Sequence, residues 1–454
     1  MSSVRQEIRA ISKLSIPVIA GHLATMMLWV VDLMMVGRVG VHELDAVALG
    51  RLWIMGTLVF SMGVVMGVDP LVSQAHGARD ERRAGLALQR GMIVALIMSV
   101  PTALSWWFTE EFLLLTGQEA ALCAEAETFV LVQVAGIPFF LVFTALRQYL
   151  IGRGITAPAM WVAVGANVVN IAANWVLIFG KLGMPALGVV GAGIATMLAQ
   201  MFLAVALGGW ILFAHLGRGW GGWSRTAWRL RGVEEVFHYG LPIGVTISLE
   251  FWAFMFANLL AGWLGAAALA SHTIVINLAS ISFMVPMGIS FGVVTRVGNL
   301  IGAGDPNGAQ RAAWVGFALG GSVMSLSAAT FILGRAWLPQ LYSTDAAVIA
   351  AAAALLPIAA AFQLFDGLQV VGGGILRGMG RTRPAALFNL IGYYVLALPA
   401  AYWLAFPCGY GLPGMWWGLA LGLAVIALAL VTWVWLRGPA RVDARIVGPA
   451  TLES

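Results

Sequence analysis

Three acidic residues sit where the surrounding sequence is apolar: Asp32, Glu250 and Asp366. A bare carboxylate is penalised in such surroundings, and a proton, a cation or a hydrogen-bond donor relieves the penalty. Each acid is therefore a candidate for exchanging a proton or Na⁺ for a cationic compound. Asn167, Asn170 and Asn174 recur at i, i+3 and i+7 and share a helical face. Their amides offer both a donor and an acceptor. Gln363 and Gln369 stand three residues before and after Asp366, and Thr246 stands four before Glu250. The bland alternative is neutral acids and amides joining one helix to the next. An acid costs about 2.5–3.5 kcal/mol at the centre of a membrane helix, so three together argue for an interior ion pathway.

The elements that carry these residues follow from composition. Of 454 residues, 61% are apolar and 10% are charged. A soluble domain carries about 25% charged residues, so the composition excludes an ordinary cytosolic enzyme, a disordered chain and a disulfide scaffold. It describes a polytopic membrane protein. Cys123 and Cys408 are too few for a disulfide framework and too distant for a short metal motif. There is no phosphate loop ending in Gly-Lys-Ser/Thr, no His-Glu-x-x-His and no Gly-x-Ser-x-Gly. The chain is expected to be no enzyme, to need no cofactor beyond a coupling ion, and to bind no metal other than Na⁺.

Apolar runs long enough to cross a bilayer number twelve: 14–36, 46–70, 85–107, 122–145, 158–179, 187–215, 238–264, 272–297, 311–333, 347–372, 384–406 and 413–436. Alternating the connections between two sides puts 21 of the 25 Lys and Arg on the side of both termini. The other four are Arg38, Arg51, Lys181 and Arg335. By the positive-inside rule both termini are cytoplasmic. The first run is full length and contains Asp32, so it reads as a retained span rather than a cleaved signal.

The sequence repeats at an offset of about 225 residues. Pro17 matches Pro242, Gly37 matches Gly262, and Gly77-Ala78-Arg79-Asp80 matches Gly302-Ala303-Gly304-Asp305. Further on, Leu150, Gly152, Gly154, Thr156 and Pro158 match Leu376, Gly378, Gly380, Thr382 and Pro384. The expected organisation is an N-lobe over 1–215, a cytoplasmic linker over 216–236 and a C-lobe with a short tail over 237–454. Trp220, Trp223 and Trp228 make the linker an interfacial amphipathic segment. Six spans per half place the halves in the same orientation, related by an axis along the membrane normal, a known transporter architecture. Asp32 and the asparagines of the fifth span fall in the first half, and Glu250 and Asp366 fall in the second.

Other polar residues read as structural. Asp69 adjoins Pro70 near a span end and is expected in water. Arg296 is expected to snorkel to the cytoplasmic edge. His22 and His272 read as satisfied interior histidines, and Glu125 and Glu127 as interfacial.

The segment Arg296-Val297-Gly298-Asn299-Leu300-Ile301-Gly302-Ala303-Gly304 resembles a motif of the multidrug and toxic compound extrusion (MATE) transporters. So do Val31-Asp32-Leu33-Met34-Met35-Val36-Gly37 and Leu376-Arg377-Gly378-Met379-Gly380-Arg381-Thr382. The resemblance runs from residue 14 to about 436, and the pair Glu250 and Asp366 resembles the NorM-like bacterial branch. It implies an all-α, V-shaped pair of six-helix lobes and exchange of H⁺ or Na⁺ for cationic drug-like compounds by alternating access. It implies a first-lobe cation site at Asp32, Asn170, Asn174 and Thr196, and a second at Glu250 and Asp366, with Gln363, Gln369 and Thr246 in support. NorM-like relatives often carry Tyr four residues before the acid of the tenth helix. Here Phe362 stands there and offers no hydroxyl.

The expected setting is a bacterial inner membrane, with lipids and small cationic substrates as partners, no nucleic acid, and a monomer. The alternative in the same superfamily is a lipid-linked precursor flippase. An anionic headgroup would call for basic residues in the cavity, whereas nearly all bases lie at the cytoplasmic edge and the midspan charges are acidic. A passive channel would need no driving gradient.

Overall fold

The computed structural model describes residues 3–214, 216 and 222–441. Residues 217–221 of the expected linker, with Arg218 and Trp220, lie outside the described residues, as do 442–454 with Arg445. Among the described residues, twelve helices are long and apolar enough to cross a membrane. They are α1 Val4–Val36, α2 Val41–Gly77, α3 Glu81–Trp106, α4 Ala120–Gly152, α5 Ala157–Phe179 and α6 Gly188–Phe213. The second half has α7 Leu230–Trp263, α8 Ala266–Gly302, α9 Pro306–Leu333, α10 Ala346–Gly378, α11 Thr382–Ala405 and α12 Gly411–Arg441. All twelve expected spans fall on these helices. The largest differences are at the starts of α1, at Val4, and of α7, at Leu230, the latter inside the expected linker.

The repeat is visible as matched local geometry. Asp80 caps α3 by accepting from the backbone N–H of Arg83, and Asp305 caps α9 by accepting from Gly308. Both helix entries follow a turn in left-handed backbone, at Arg79 (φ 60°) and Gly304 (φ 75°). The N–H groups of Asp80 and Asp305 close these turns on the carbonyls of Ala75 and Leu300. Gly154 and Gly380 take the same conformation at the later matched turn.

The chain forms two compact units, Ala20–Gly244 and Met1–Ile19 with Val245–Ser454. The boundaries therefore fall inside α1 and α7, not in the linker as the sequence suggested. Each crossing lies just past a matched proline, Pro17 or Pro242, both internal to their helices. Proline removes one backbone donor and crowds the preceding turn, so the helix is least self-supported there. In the first unit, Gly63 and Gly67 of α2 let the start of α7 approach at Gly244 and Gly240, backbone on backbone. In the second unit, Gly288 and Gly292 of α8 admit the start of α1 at Ile19 and Ser15. These glycine pairs correspond at the offset of the repeat. Small residues four apart are how helices come close without a hydrophobic drive from water.

Ion pairs hold both exchanged ends. Glu235 of α7 meets Arg90 of α3 at 3.4 Å within the first unit. Glu7 of α1 accepts two bonds from Arg296 of α8, 2.7 Å to Nε and 2.8 Å to Nη2, within the second. Arg296 was expected to snorkel; instead its fork is used against a fully buried carboxylate. What remains described of the linker is pinned to α3, where buried Gln89 donates to the carbonyl of Gly222 and accepts from the N–H of Ser224. Within the units, α5 packs on α6 and α3 on α4, while α10 packs on α8, α9 and α12.

Candidate functional site

The first cluster lies in the unit Ala20–Gly244. Asp32 on α1 is fully buried. Asn174 of α5 donates from Nδ2 to its Oδ1 at 2.6 Å and to Oδ1 of Asn170 at 3.1 Å. Thr196 of α6 donates to Oδ2 of Asp32 at 2.7 Å. Asn170 and Asn174 sit one turn apart on α5, so both reach the same point on α1. The four residues that the resemblance grouped are thus brought together. Asn167 is not among them: its Nδ2 bonds the carbonyls of Ala24 and Ala163, so it ties α5 to α1 as glue.

One member of this cluster escaped the sequence reading. Arg51 of α2 reaches Asp32, Nη2 to Oδ2 at 3.5 Å. Its Nη1 donates to the carbonyl of Trp29 at 2.6 Å, and its guanidinium lies over the Trp29 ring at 5.3 Å from the centroid. Both side chains line a cavity with Gln133, Asn170, Thr196 and Gln200. The expectation that midspan charge is purely acidic is therefore corrected. Arg51 falls inside the expected span 46–70, which was the available signal, but its partner could not be read from the chain.

The second cluster lies in the unit that includes Val245–Ser454. Asp366 of α10 is buried and lies within electrostatic reach of half-buried Glu250 of α7. Gln369 donates from Nε2 to Oε2 of Glu250 at 3.2 Å and to Oδ1 of Asn389 on α11 at 3.1 Å. Gln363 does not join them. Its Nε2 donates to Ser282 Oγ of α8 at 2.5 Å. Positions six apart differ by about 120° around a helix, so the two glutamines that flank Asp366 face different neighbours. Thr246 stands one turn before Glu250 on α7, half-buried.

Helix α11 supplies what the sequence reading missed. Its stretch Leu390–Ala397 is π-helical, a local widening often found at functional sites. Tyr393 from this stretch is buried, with its hydroxyl in electrostatic reach of both Glu250 and Asp366. Tyr394 donates to the carbonyl of Leu249 at 3.2 Å, docking α11 beside the acid on α7. Phe362 has its ring against Phe254 and Trp416, at 6.0 and 5.4 Å between centroids. Phe254 also contacts the Tyr393 ring at 6.1 Å. A hydroxyl absent at Phe362 is thus present in the same surroundings on α11. Asn389 and Tyr393 lie four apart, the one signal that could have pointed to them.

Two background expectations change. Asp69 is buried rather than hydrated, with Gln148 Nε2 at 3.4 Å from Oδ2. His272 is buried against the Trp416 ring, and neither ring nitrogen has a hydrogen-bond partner among the described residues. The described residues give it a ring contact and no hydrogen bond.

Twelve membrane-length helices among the described residues, in repeated halves, each half with a buried acid, define a polytopic membrane protein with a repeat architecture known among transporters. The MatE family model matches residues 17–176 and 242–403, and the chain belongs to this family of MATE transporters, within its NorM-like branch. It is 35% identical to the probable multidrug resistance protein NorM of Mesorhizobium japonicum, covering 95% of this chain and 94% of that protein. It is 34% identical to the multidrug resistance protein NorM of Burkholderia vietnamiensis, covering 93% and 92%. The crystal structure of the eukaryotic MATE transporter AtDTX14 superposes with a TM-score of 0.89 at 25% identity, covering 98% of each chain. An outward-facing multidrug resistance MATE transporter superposes at 0.86 with 21% identity and shares the fold.

Proposed function

We propose that this chain is a secondary multidrug exporter of the bacterial inner membrane, with both termini in the cytoplasm, exchanging H⁺ or Na⁺ for cationic amphipathic compounds by alternating access. The observation that carries the reading is the pair of buried acidic clusters, Asp32 with Asn170, Asn174 and Thr196, and Glu250 with Asp366. The relatives named as multidrug resistance proteins support it. Asp32 is the first ion site, and its amide and hydroxyl neighbours orient the carboxylate. Glu250 and Asp366 form the second site. Gln369 holds Glu250, and Asn389 holds Gln369. Two carboxylates in electrostatic reach favour sharing one positive charge over carrying two negative ones. Gln363 supports the site by tying α10 to α8 at Ser282, and Thr246, one turn before Glu250, is a supporting polar residue on α7.

A proton or Na⁺ crossing about 100 mV yields roughly 2.3 kcal/mol, worth about fifty-fold accumulation of a neutral compound; exchange of one monovalent cation for another moves no net charge, so there the ion's concentration gradient supplies the drive. The ion drives transport only if it binds the two conformations unequally.

The test is efflux of a fluorescent cationic dye from proteoliposomes, with the Na⁺ gradient and the pH gradient imposed separately. At least one of the two gradients, imposed alone, is expected to drive the dye. If neither does, the exporter reading fails and lipid-linked precursor transport is the next activity to assay.

A further inference from the structure

We propose that Arg51 is the resident counter-cation of Asp32 and holds the place a coupling Na⁺ would take, so that the Asp32 site discriminates against Na⁺. The inference rests on Asp32 being an ion site, as proposed above, and goes beyond that reading by selecting between the two ions.

Both oxygens of Asp32 already have partners. Oδ1 accepts from Asn174 at 2.6 Å, and Oδ2 accepts from Thr196 at 2.7 Å with Arg51 Nη2 at 3.5 Å. The arginine is fixed at three points: the carboxylate, the Trp29 carbonyl at 2.6 Å and the Trp29 ring. Trp29 precedes Asp32 by three residues on α1, so one face of α1 grips both arms of the guanidinium. This is a positioned cation rather than a side chain escaping to the interface.

The charge count points the same way. Asp32 and Arg51 are the ionisable side chains among the described residues that line the cavity; Thr25, Gln133, Asn170, Thr196 and Gln200 are neutral. On α4, Glu125 pairs with His42 of α2 at 3.1 Å and does not line it. The pair sums to zero charge. A Na⁺ entering this cavity meets the like charge of Arg51 beside Asp32, in a buried site where repulsion is less screened than in water. The oxygens of Asn170, Asn174 and Thr196 would otherwise suit a hard monovalent cation.

The experiment reads Na⁺ binding without requiring transport. The purified full chain is melted in detergent in NaCl and in an equal concentration of choline chloride, since a ligand that binds the folded state raises its melting temperature. Five proteins are compared: the unaltered chain, Asp32→Asn, Arg51→Gln, the double variant of these two, and Arg51→Lys. The quantity read is the part of the Na⁺ effect that Asp32→Asn removes, which separates this site from Glu250 and Asp366. It is expected to be absent in the unaltered chain and to appear in Arg51→Gln as a rise of about 2 °C or more. Arg51→Lys, which keeps the charge, is expected to behave like the unaltered chain. It also keeps the comparison decisive if Arg51→Gln does not fold, because the result for the unaltered chain stands on its own. An Asp32-dependent Na⁺ effect already present in the unaltered chain overturns the proposal. So does a folded Arg51→Gln protein that gains none. The exporter reading fails separately, by dye efflux under neither gradient, and leaves this measurement interpretable.

Discussion

Arg296 and Glu7 are joined by two parallel hydrogen bonds across 289 residues of sequence, and the carboxylate between them is fully buried. This pair fixes the start of α1 to the end of α8, where Gly288 and Gly292 have cleared the space for it. The arginine belongs to the segment that first suggested the family, so part of that motif serves assembly of the second unit rather than ion chemistry.

Removing one partner of a buried pair leaves the other charge uncompensated. Arg296→Ala is expected to lower stability by about 3 kcal/mol. Arg296→Lys keeps the charge but cannot form both bonds, and is expected to cost about 1 kcal/mol. Denaturation in mixed micelles checks the order. Equal losses for the two variants would mean that the fork geometry, not the charge, sets the stability.

A Cβ at Gly63 would stand 2.5 Å from the Cα of Gly244 and 2.8 Å from its nitrogen, with backbone as the obstacle. Gly63→Ala is therefore expected to destabilise by about 1–3 kcal/mol through overpacking. Gly262 on α7 meets nothing within 4 Å. Gly262→Ala is expected to be neutral or to stabilise by up to about 1 kcal/mol through helix propensity. The melting temperature should fall for Gly63→Ala and stay level or rise for Gly262→Ala.

Arg79 and Gly304 occupy matched turns with φ of 60° and 75°. Only glycine adopts this backbone without strain. Arg79→Gly is expected to stabilise by about 0.5 kcal/mol, after the extra freedom of the unfolded glycine is counted. Gly304→Ala is expected to cost about 1 kcal/mol. A stabilising Gly304→Ala would show that the two turns do not share one conformation in solution.

Asp32→Asn keeps the shape of the first site and removes its charge. Dye efflux is expected to fall at least about tenfold, and to show no dependence on either gradient. Glu250→Gln and Asp366→Asn are expected to weaken coupling or narrow the range of compounds exported. Gln369→Ala should resemble Glu250→Gln in part, because it frees that carboxylate from its donor at 3.2 Å. Drug resistance of a sensitive host expressing Asp32→Asn at the level of the unaltered chain would remove Asp32 from the mechanism.

The sequence by itself determined the class of fold, the number of membrane-length helices, the repeat and the acids worth attention. These are properties of consecutive residues: a run of about 20 apolar side chains suffices for a span, and an acid within one is conspicuous wherever the helix packs. The asparagines of α5 were legible for the same reason, since spacing on one helix fixes a shared face. Tertiary structure alone decided which faces meet. It placed Arg51 on Asp32, turned Gln363 toward Ser282 and away from the acids, and brought Tyr393 of the π-helical stretch to Glu250 and Asp366. It also moved the unit boundaries from the linker into α1 and α7. The physical reason is that these outcomes depend on helix rotation and on glycine contacts between residues far apart in the chain. Hydropathy along the sequence carries no record of either.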